Sequence, residues 1–126
     1  MVTMTTHRTR VVIVDDQAAF RSAARLVVEM SDGFEVVGEA ETGEDAVAMV
    51  ASVDPDLVLM DVNLPGIDGL EATRQIVASG SSARILVLST YSASEYETAA
   101  TEAGAVGFVP KDDFGPDSLM EVSPGS

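Results

Sequence analysis

The sequence contains no cysteine, and only one of its seven basic residues is a lysine. The lack of cysteine excludes disulfides, iron–sulfur clusters, thiolate zinc sites and cysteine nucleophiles. Acidic residues outnumber basic ones by 21 to 7, for a formal charge of -14, so the clustered Lys and Arg that bind phosphate backbones or anionic lipids are missing. No apolar run approaches the roughly 18 residues that span a bilayer, and the N-terminal MVTMTTHRTR has no apolar signal region. These absences favour a cytoplasmic domain that binds neither nucleic acid nor membrane.

The length and apolar content fit one folded domain. The chain has 126 residues, 46% of them hydrophobic, which is enough to bury a real core. We expect residues 1–9 to form a flexible N-terminal tail, residues 10–122 to form the domain, and residues 123–126 to form a C-terminal tail.

Five short apolar segments alternate with helical patterns along the chain. The segments are apolar on both faces, which is typical of parallel strands covered by helices: Val11–Val14, Phe34–Gly38, Asp56–Met60, Ile85–Leu88 and Val106–Val109. Between and after them, apolar side chains recur at helical spacing in Ala18–Met30, Glu44–Ser52, Leu70–Ala78, Ser94–Ala103 and, weakly, Asp117–Val122. The pattern predicts an α/β fold, a doubly wound five-stranded parallel sheet of flavodoxin-like order 2-1-3-4-5, with helices on both faces and a short or irregular last helix.

Polar side chains directly follow four of the five predicted strands. Asp15 and Asp16 follow the first strand, Asp61 the third, Ser89 the fourth and Lys111 the fifth. Ligands of open parallel sheets bind at the carboxyl ends of the strands. Three carboxylates brought together there would repel one another, so they favour a hard divalent cation, most plausibly Mg²⁺. A hydroxyl and an ammonium beside a metal-bound carboxylate can stabilise a phosphoryl group that the carboxylate carries.

Each of these residues also has an ordinary structural explanation when taken alone. An Asp-Asp pair after a strand commonly caps a helix, and Asp61 could be a turn residue ahead of Pro65. Ser89 could be a loop hydroxyl and Lys111 a solvated surface charge. Their joint placement at one edge of one predicted sheet favours the functional interpretation.

Four segments, VVIVDD, PDLVLMDVNLPGIDGLEA, ARILVLST and AGAVGFVPKD, together resemble a response-regulator receiver domain of the CheY-like superfamily. GEAETGEDAV and the LSTY segment are most similar to the NarL/FixJ subfamily, and the resemblance covers about residues 10–113. It implies two-component signalling, in which a sensor histidine kinase donates a phosphoryl group in a Mg²⁺-dependent reaction. Such a domain catalyses only its own phosphotransfer and dephosphorylation, so it is a switch rather than an enzyme. Its helix 4/strand 5 face would control an output, transcription if a helix-turn-helix domain is missing from this chain.

The resemblance assigns the chemistry residue by residue. Asp61 resembles the phosphoacceptor, and Asp15 and Asp16 resemble the acidic pair that binds Mg²⁺ together with Asp61. Asn63 would add a metal ligand through its backbone carbonyl. Lys111 resembles the lysine that pairs with the phosphoryl group.

The resemblance also assigns switch and tuning positions. Ser89 is similar to the switch hydroxyl that moves toward the phosphoryl group, and Phe108 occupies the switch aromatic position, although it could simply be a core residue. The Asn63 side chain and Tyr91 occupy the positions that tune the lifetime of the acyl phosphate. Gly69, with Pro65 before it, matches the loop that shapes the pocket behind the phosphoacceptor.

Three features depart from the family pattern. Many members have proline after the lysine in a cis peptide, whereas here Pro110 precedes Lys111 and Asp112 follows it. Phe108 has no hydroxyl that could anchor an outward state. The last helix is short, which puts in doubt any homodimer or output surface built on it.

Other functions remain as alternatives. An aspartyl-phosphate phosphatase of the haloacid-dehalogenase type places its nucleophile first, in an Asp-x-Asp motif, whereas here the acidic pair comes first and the motif at Asp61 reads Asp-Val-Asn. A flavodoxin-like electron carrier needs a Ser/Thr/Gly-rich phosphate loop, and DDQAAF would repel the phosphate. A phosphorylation-independent docking module would not require the complete site that the sequence carries.

Overall fold

The computed structural model describes residues 8–90 and 94–122. Tyr91, residues 1–7 of the predicted N-terminal tail and the whole predicted C-terminal tail lie outside the described residues. Within these ranges the chain alternates strands and helices in the order β1 (Thr9–Val14), α1 (Ala18–Glu29), β2 (Phe34–Ala40), α2 (Gly43–Val53), β3 (Leu57–Asp61), α3 (Gly69–Ala78), β4 (Arg84–Ser89), α4 (Ser94–Ala103), β5 (Gly107–Pro110) and α5 (Pro116–Val122). A 3-10 helix, Lys111–Asp113, joins β5 to α5.

The strands form one parallel sheet in the order β2-β1-β3-β4-β5, which confirms the predicted fold class and strand order. β1 and β3 are neighbours, with Val11–Val14 in register with Leu57–Met60. The chain moves outward from this pair in opposite directions, to β2 on one side and to β4 and β5 on the other. Such a reversal opens a crevice at the carboxyl ends of the central strands.

Helices cover both faces of the sheet, as the two-sided apolar strands predicted. Val12 and Val14 belong to the core on one face, and Val11 and Ile13 belong to the core on the other. Every residue of β3 is buried. The core of the protein therefore lies on both faces of the sheet.

The observed starts of β1 and β3 differ from the predicted ones. β1 begins at Thr9, which the prediction had placed in the N-terminal tail, because its N–H donates to the Gly33 carbonyl at 2.7 Å. β3 begins one residue late, at Leu57, although the Asp56 N–H still donates to the Arg10 carbonyl and its carbonyl accepts from the Arg84 N–H, both at 2.9 Å. The Asp56 carboxylate also accepts from the Arg10 N–H at 2.9 Å. The predictions from apolar runs could not include these polar contacts.

The last helix is short, as predicted. α5 has seven residues and begins at Pro116, a residue favoured in the first turn because its fixed φ fits the helix and it has no N–H to satisfy there. It is anchored by the buried side chains of Leu119 and Val122. Among the described residues, no helix is both long and apolar enough to cross a bilayer.

Candidate functional site

The predicted site residues lie where the strands end. Asp61 is the last residue of β3, and Ser89 is the last residue of the neighbouring β4. Ser89 is in register with Pro110 of β5, directly before Lys111. Asp15 follows β1 on the other side of β3. Parallel strand direction thus brings residues that are distant in sequence to one edge of the sheet.

Three carboxylates converge at this edge. Asp15, Asp16 and Asp61 each offer an oxygen within 4.8 Å of the others, as the sequence predicted. Asp15 and Asp61 are buried, and Asp16 is exposed. The cluster is therefore open to solvent on one side and closed on the other.

The donor set fits a hard divalent cation. Oδ1 of Asp61 is buried and accepts no hydrogen bond from the described residues. A buried acceptor without a partner is costly unless a cation or a proton compensates it. Carboxylate oxygens are the ligands that Mg²⁺ prefers in proteins, so these residues could hold it.

Lys111 lies between the two buried carboxylates. Its Nζ is 2.6 Å from Oδ2 of Asp15 and 3.5 Å from Oδ2 of Asp61, and its side chain is only 10% exposed. One ammonium cannot neutralise both carboxylates and Asp16 together. The site keeps a net negative charge, which again favours a cation.

The surroundings of Asp61 change its acidity. Burial, and next the charge of Asp15, raise the pKa of Asp61 from 3.8 to about 6, while Lys111 and the backbone N–H of Asn63 act in the opposite direction. Each cause has a direct physical origin, since low polarity and a like charge both disfavour the carboxylate form. Near neutral pH the group is mostly ionised.

Contacts from α1 hold Asp15 in place. Its Oδ1 accepts from the Gln17 N–H at 2.8 Å, and its backbone carbonyl accepts from Nη1 of Arg21 at 2.7 Å. Arg21 is itself paired with Glu39 of β2, with Nε to Oε1 at 3.1 Å. The sequence analysis did not identify Gln17 or Arg21 as supports of the site.

The loop after β3 approaches Asp61 very closely. The Gly69 N–H donates to the Val62 carbonyl at 2.9 Å, and a Cβ built on Gly69 would overlap the carbonyl oxygen of Asp61. Asp68 caps the following helix by accepting from the Glu71 N–H at 2.8 Å. Glycine at position 69 thus lets α3 begin directly behind the central carboxylate.

The predicted switch and tuning residues differ in how deeply they are buried. Ser89 is fully buried beside the end of β3, and Phe108 is half-buried in β5 and packs against the core on one face of the sheet. Asn63 is exposed, two residues after Asp61, and Tyr91 lies outside the described residues. The switch and tuning roles of these four residues stay predictions.

Phe20, near the site, was missed as well. Nζ of Lys111 lies 4.7 Å from the centroid of the Phe20 ring, whereas the sequence analysis placed Phe20 only in the apolar stripe of α1. The available signal was its position four residues after Asp16, in the first turn of α1, which starts at the strand edge.

No cis peptide bond occurs within residues 8–90 and 94–122, so the peptide bonds on both sides of Lys111 are trans.

Comparison with known proteins identifies a family and several relatives. Residues 11–123 match the response regulator receiver domain family. The chain is 36% identical over 116 residues to the transcriptional regulatory protein DegU of Brevibacillus brevis, covering 92% of this chain and 49% of DegU. It is 41% identical over 101 residues to the response regulator UvrY of Escherichia coli, covering 80% of this chain and 46% of UvrY. The chain spans about half the length of the curated relatives it matches.

Solved structures agree with these relatives. A two-component response regulator of the LuxR family from Aurantimonas is 37% identical, with a TM-score of 0.83 over 90% of this chain and 81% of that one. The signal receiver domain of NarL from Mycobacterium tuberculosis is 28% identical, with a TM-score of 0.89 over 95% of this chain and 99% of that one. The predicted similarity to the NarL/FixJ subfamily is thereby confirmed.

Proposed function

The chain belongs to the response-regulator receiver domain family, and we propose that it accepts a phosphoryl group from a sensor histidine kinase on Asp61. The observation that carries this proposal is the Oδ1 atom of Asp61, which is buried, has no hydrogen-bond partner among the described residues and belongs to the three-carboxylate cluster. Receiver domains are regulatory switches rather than classical enzymes. Such a switch needs a single phosphoacceptor residue, which we propose is Asp61.

The proposed transfer is a displacement at phosphorus. An oxygen of the Asp61 carboxylate attacks the phosphorus of a phosphohistidine, and the new O–P bond forms as the P–N bond breaks. The electron pair of that bond leaves with the imidazole nitrogen, which takes up a proton. Lys111, 3.5 Å from Oδ2 of Asp61, would pair with the transferred group and offset its negative charge.

Mg²⁺ would be held by Asp15, Asp16 and Asp61, with the backbone carbonyl of Asn63 as a further ligand. When bound, it would supply positive charge to the phosphoryl oxygens. The support for this metal is the oxygen-rich donor set and its excess negative charge.

After transfer, we expect Ser89 to turn toward the phosphoryl group and Phe108 to adopt a second packing with the α4–β5 face. The position of Ser89 beside the end of β3 supports the first step. For the second step, the support is that Phe108 packs against a core that also contains Ala100 of α4. Tyr91 and the Asn63 side chain would set how long the acyl phosphate lasts.

The output is proposed from the relatives. DegU is described as a transcriptional regulatory protein, so we propose that this domain controls transcription from the cytoplasm through a DNA-binding domain or a partner protein. The receiver itself, with a charge of -14, would not contact DNA. Homodimerisation stays a prediction.

The test is phosphorylation by a small phosphodonor. Acetyl phosphate with Mg²⁺ should add the mass of one phosphoryl group to the wild type, and Asp61→Asn should abolish the addition. Asp112→Asn, which removes an exposed carboxylate next to Lys111, is the matched control and should be labelled like the wild type. An unlabelled wild type would favour a phosphorylation-independent docking module, and labelling of Asp61→Asn would reject the assignment of the acceptor.

A further inference from the structure

The side chain of Lys111 is held by an aromatic pair as well as by carboxylates. Nζ of Lys111 lies 4.7 Å from the Phe20 ring centroid. The Phe20 ring packs against the Phe114 ring, with centroids 6.2 Å apart and the planes tilted by 55°. Phe114 is tied back to the lysine, because its N–H donates to the Lys111 carbonyl at 3.2 Å. The contacts therefore form a closed loop: the Lys111 backbone contacts Phe114, Phe114 packs on Phe20, and Phe20 contacts the Lys111 ammonium.

This arrangement restricts a side chain that would otherwise be mobile. Lysine carries its charge on a flexible four-carbon stem, and its ammonium has three N–H donors. The carboxylates of Asp15 and Asp61 pair with the ammonium, and the electron-rich face of Phe20 can attract it as well. With the side chain only 10% exposed, little water is available to replace the ring.

We propose that Phe20, supported by Phe114, positions the Lys111 ammonium between Asp15 and Asp61. Phe20 belongs to α1, whereas Lys111 is the first residue of the 3-10 helix after β5 and Phe114 directly follows that helix. The contact thus joins two elements that are not adjacent in sequence. Phe20 is a positioning residue, since it touches none of the reacting atoms. Its consequence for phosphotransfer rests on the proposed function of Asp61.

A set of phenylalanine variants separates ring chemistry from packing. Phe20→Leu keeps an apolar side chain but removes the ring face, and Phe20→Tyr keeps the ring. Phe34→Leu is the matched control, because Phe34 is a buried core residue at the opposite end of the sheet, the first residue of β2. Phe114→Leu removes the supporting ring and serves as a second variant if Phe20→Leu is poorly folded.

Because Lys111 is the only lysine in the chain, lysine labelled with ¹³C and ¹⁵N gives a single set of side-chain NMR signals. The ring current of Phe20 should shift the Hε protons of Lys111 upfield in the wild type. The shift should vanish in Phe20→Leu, weaken in Phe114→Leu and persist in Phe20→Tyr and Phe34→Leu. This readout requires no phosphotransfer.

The second readout is the initial rate of labelling by acetyl phosphate with Mg²⁺. Cation–π contacts are worth about two- to thirtyfold in an equilibrium, with the larger values for desolvated pairs, so we expect Phe20→Leu to be labelled about two- to thirtyfold more slowly. Phe20→Tyr should recover the wild-type rate, and Phe34→Leu should retain it even if its melting temperature falls.

Two results would overturn the proposal. The Hε shift could be the same in the wild type and Phe20→Leu, which would show that the ring does not contact the ammonium. Alternatively, the shift could be lost in Phe20→Leu with an unchanged labelling rate, which would show that the contact does not position the lysine for transfer. A wild type that shows the shift and the variant pattern but is never labelled would reject the function proposed for Asp61 and leave the positioning of Lys111 supported.

Discussion

The carboxyl group of Asp61 is buried next to the buried carboxyl group of Asp15, and this neighbourhood determines how the metal-free protein responds to pH. The pKa of Asp61 is raised from 3.8 to about 6, first by burial and next by the charge of Asp15. The folded chain therefore binds the proton more tightly than the unfolded chain does. Ionisation of Asp61 destabilises the fold above pH 6, by about 3 kcal/mol for a shift of this size.

We predict that the metal-free wild type gains stability as pH falls from about 6 toward about 4, because the native state takes up a proton that the unfolded state does not yet bind. Asp61→Asn should be more stable than the wild type at pH 7 and should lose this gain. Urea unfolding in EDTA across this pH range measures both effects. Asp112→Asn, which changes an exposed carboxylate outside the cluster, is the control. Equal pH profiles for the wild type and Asp61→Asn would contradict the prediction.

At the residue scale, the sequence predicted which side chains meet but not how they share their contacts. Asp15, Asp61 and Lys111 could be placed at one edge because each follows a strand. The shorter contact of Lys111 with Asp15 than with Asp61 depends on rotamers. The contact of Lys111 with Phe20 depends on the residue at which α1 starts. The spacing of apolar residues along a helix does not give that starting residue.

At the scale of elements, the start of α3 is fixed by its distance from β3. Gly69 is the first residue of α3, and any side chain there would overlap the Asp61 backbone. Backbone cannot move as cheaply as the end of a flexible side chain. The conformation of the β3–α3 loop therefore requires glycine at this position.

We predict that Gly69→Ala destabilises the protein by about 3 kcal/mol or more, as overpacking against backbone does, and that it slows labelling by acetyl phosphate. Gly115→Ala is the matched control, since a Cβ there meets nothing within 4 Å. Urea denaturation of the two variants gives the comparison. Similar midpoints for both variants would show that α3 can shift freely behind Asp61.

The elements themselves could be predicted because the apolar runs and helical spacings are clear. The boundaries were less accurate: a backbone hydrogen bond extends β1 to Thr9, and β3 begins at Leu57, one residue after Asp56. The brevity of α5 could also be predicted, since Gly115 and Pro116 interrupt the pattern directly before it. Element type follows from patterns, whereas boundaries follow from individual hydrogen bonds.

At the scale of the whole molecule, charge limits the choice of partners. With 21 acidic and 7 basic residues, the domain has too few cations to displace counterions from nucleic acid. Three of the acidic residues, Asp15, Asp16 and Asp61, meet at the carboxyl edge of the sheet, where they favour a cation. The alternation of strands and helices predicted a doubly wound parallel sheet, because right-handed crossovers leave few topologies. The order 2-1-3-4-5 was predicted as the flavodoxin-like form of that fold.

We predict that the domain alone shows no salt-dependent binding to duplex DNA. Fluorescence anisotropy with a labelled duplex, titrated with protein at ~150 mM salt, is the measurement. A basic DNA-binding protein of similar size serves as the positive control. A micromolar complex would mean that this chain carries its own DNA-binding surface and that the output does not require another domain.

The most direct test of the central claim, that Asp15, Asp16 and Asp61 act as one metal-dependent phosphoacceptor site, is the rate of labelling by acetyl phosphate at increasing Mg²⁺ concentration. The wild type and Asp112→Asn should be labelled only with Mg²⁺, and EDTA should stop the reaction. The labelling rate of Asp16→Asn should be at least about tenfold lower at the same Mg²⁺ concentration, as expected when a group that supports metal binding is lost. Equal rates for all three proteins, with or without Mg²⁺, would contradict the claim.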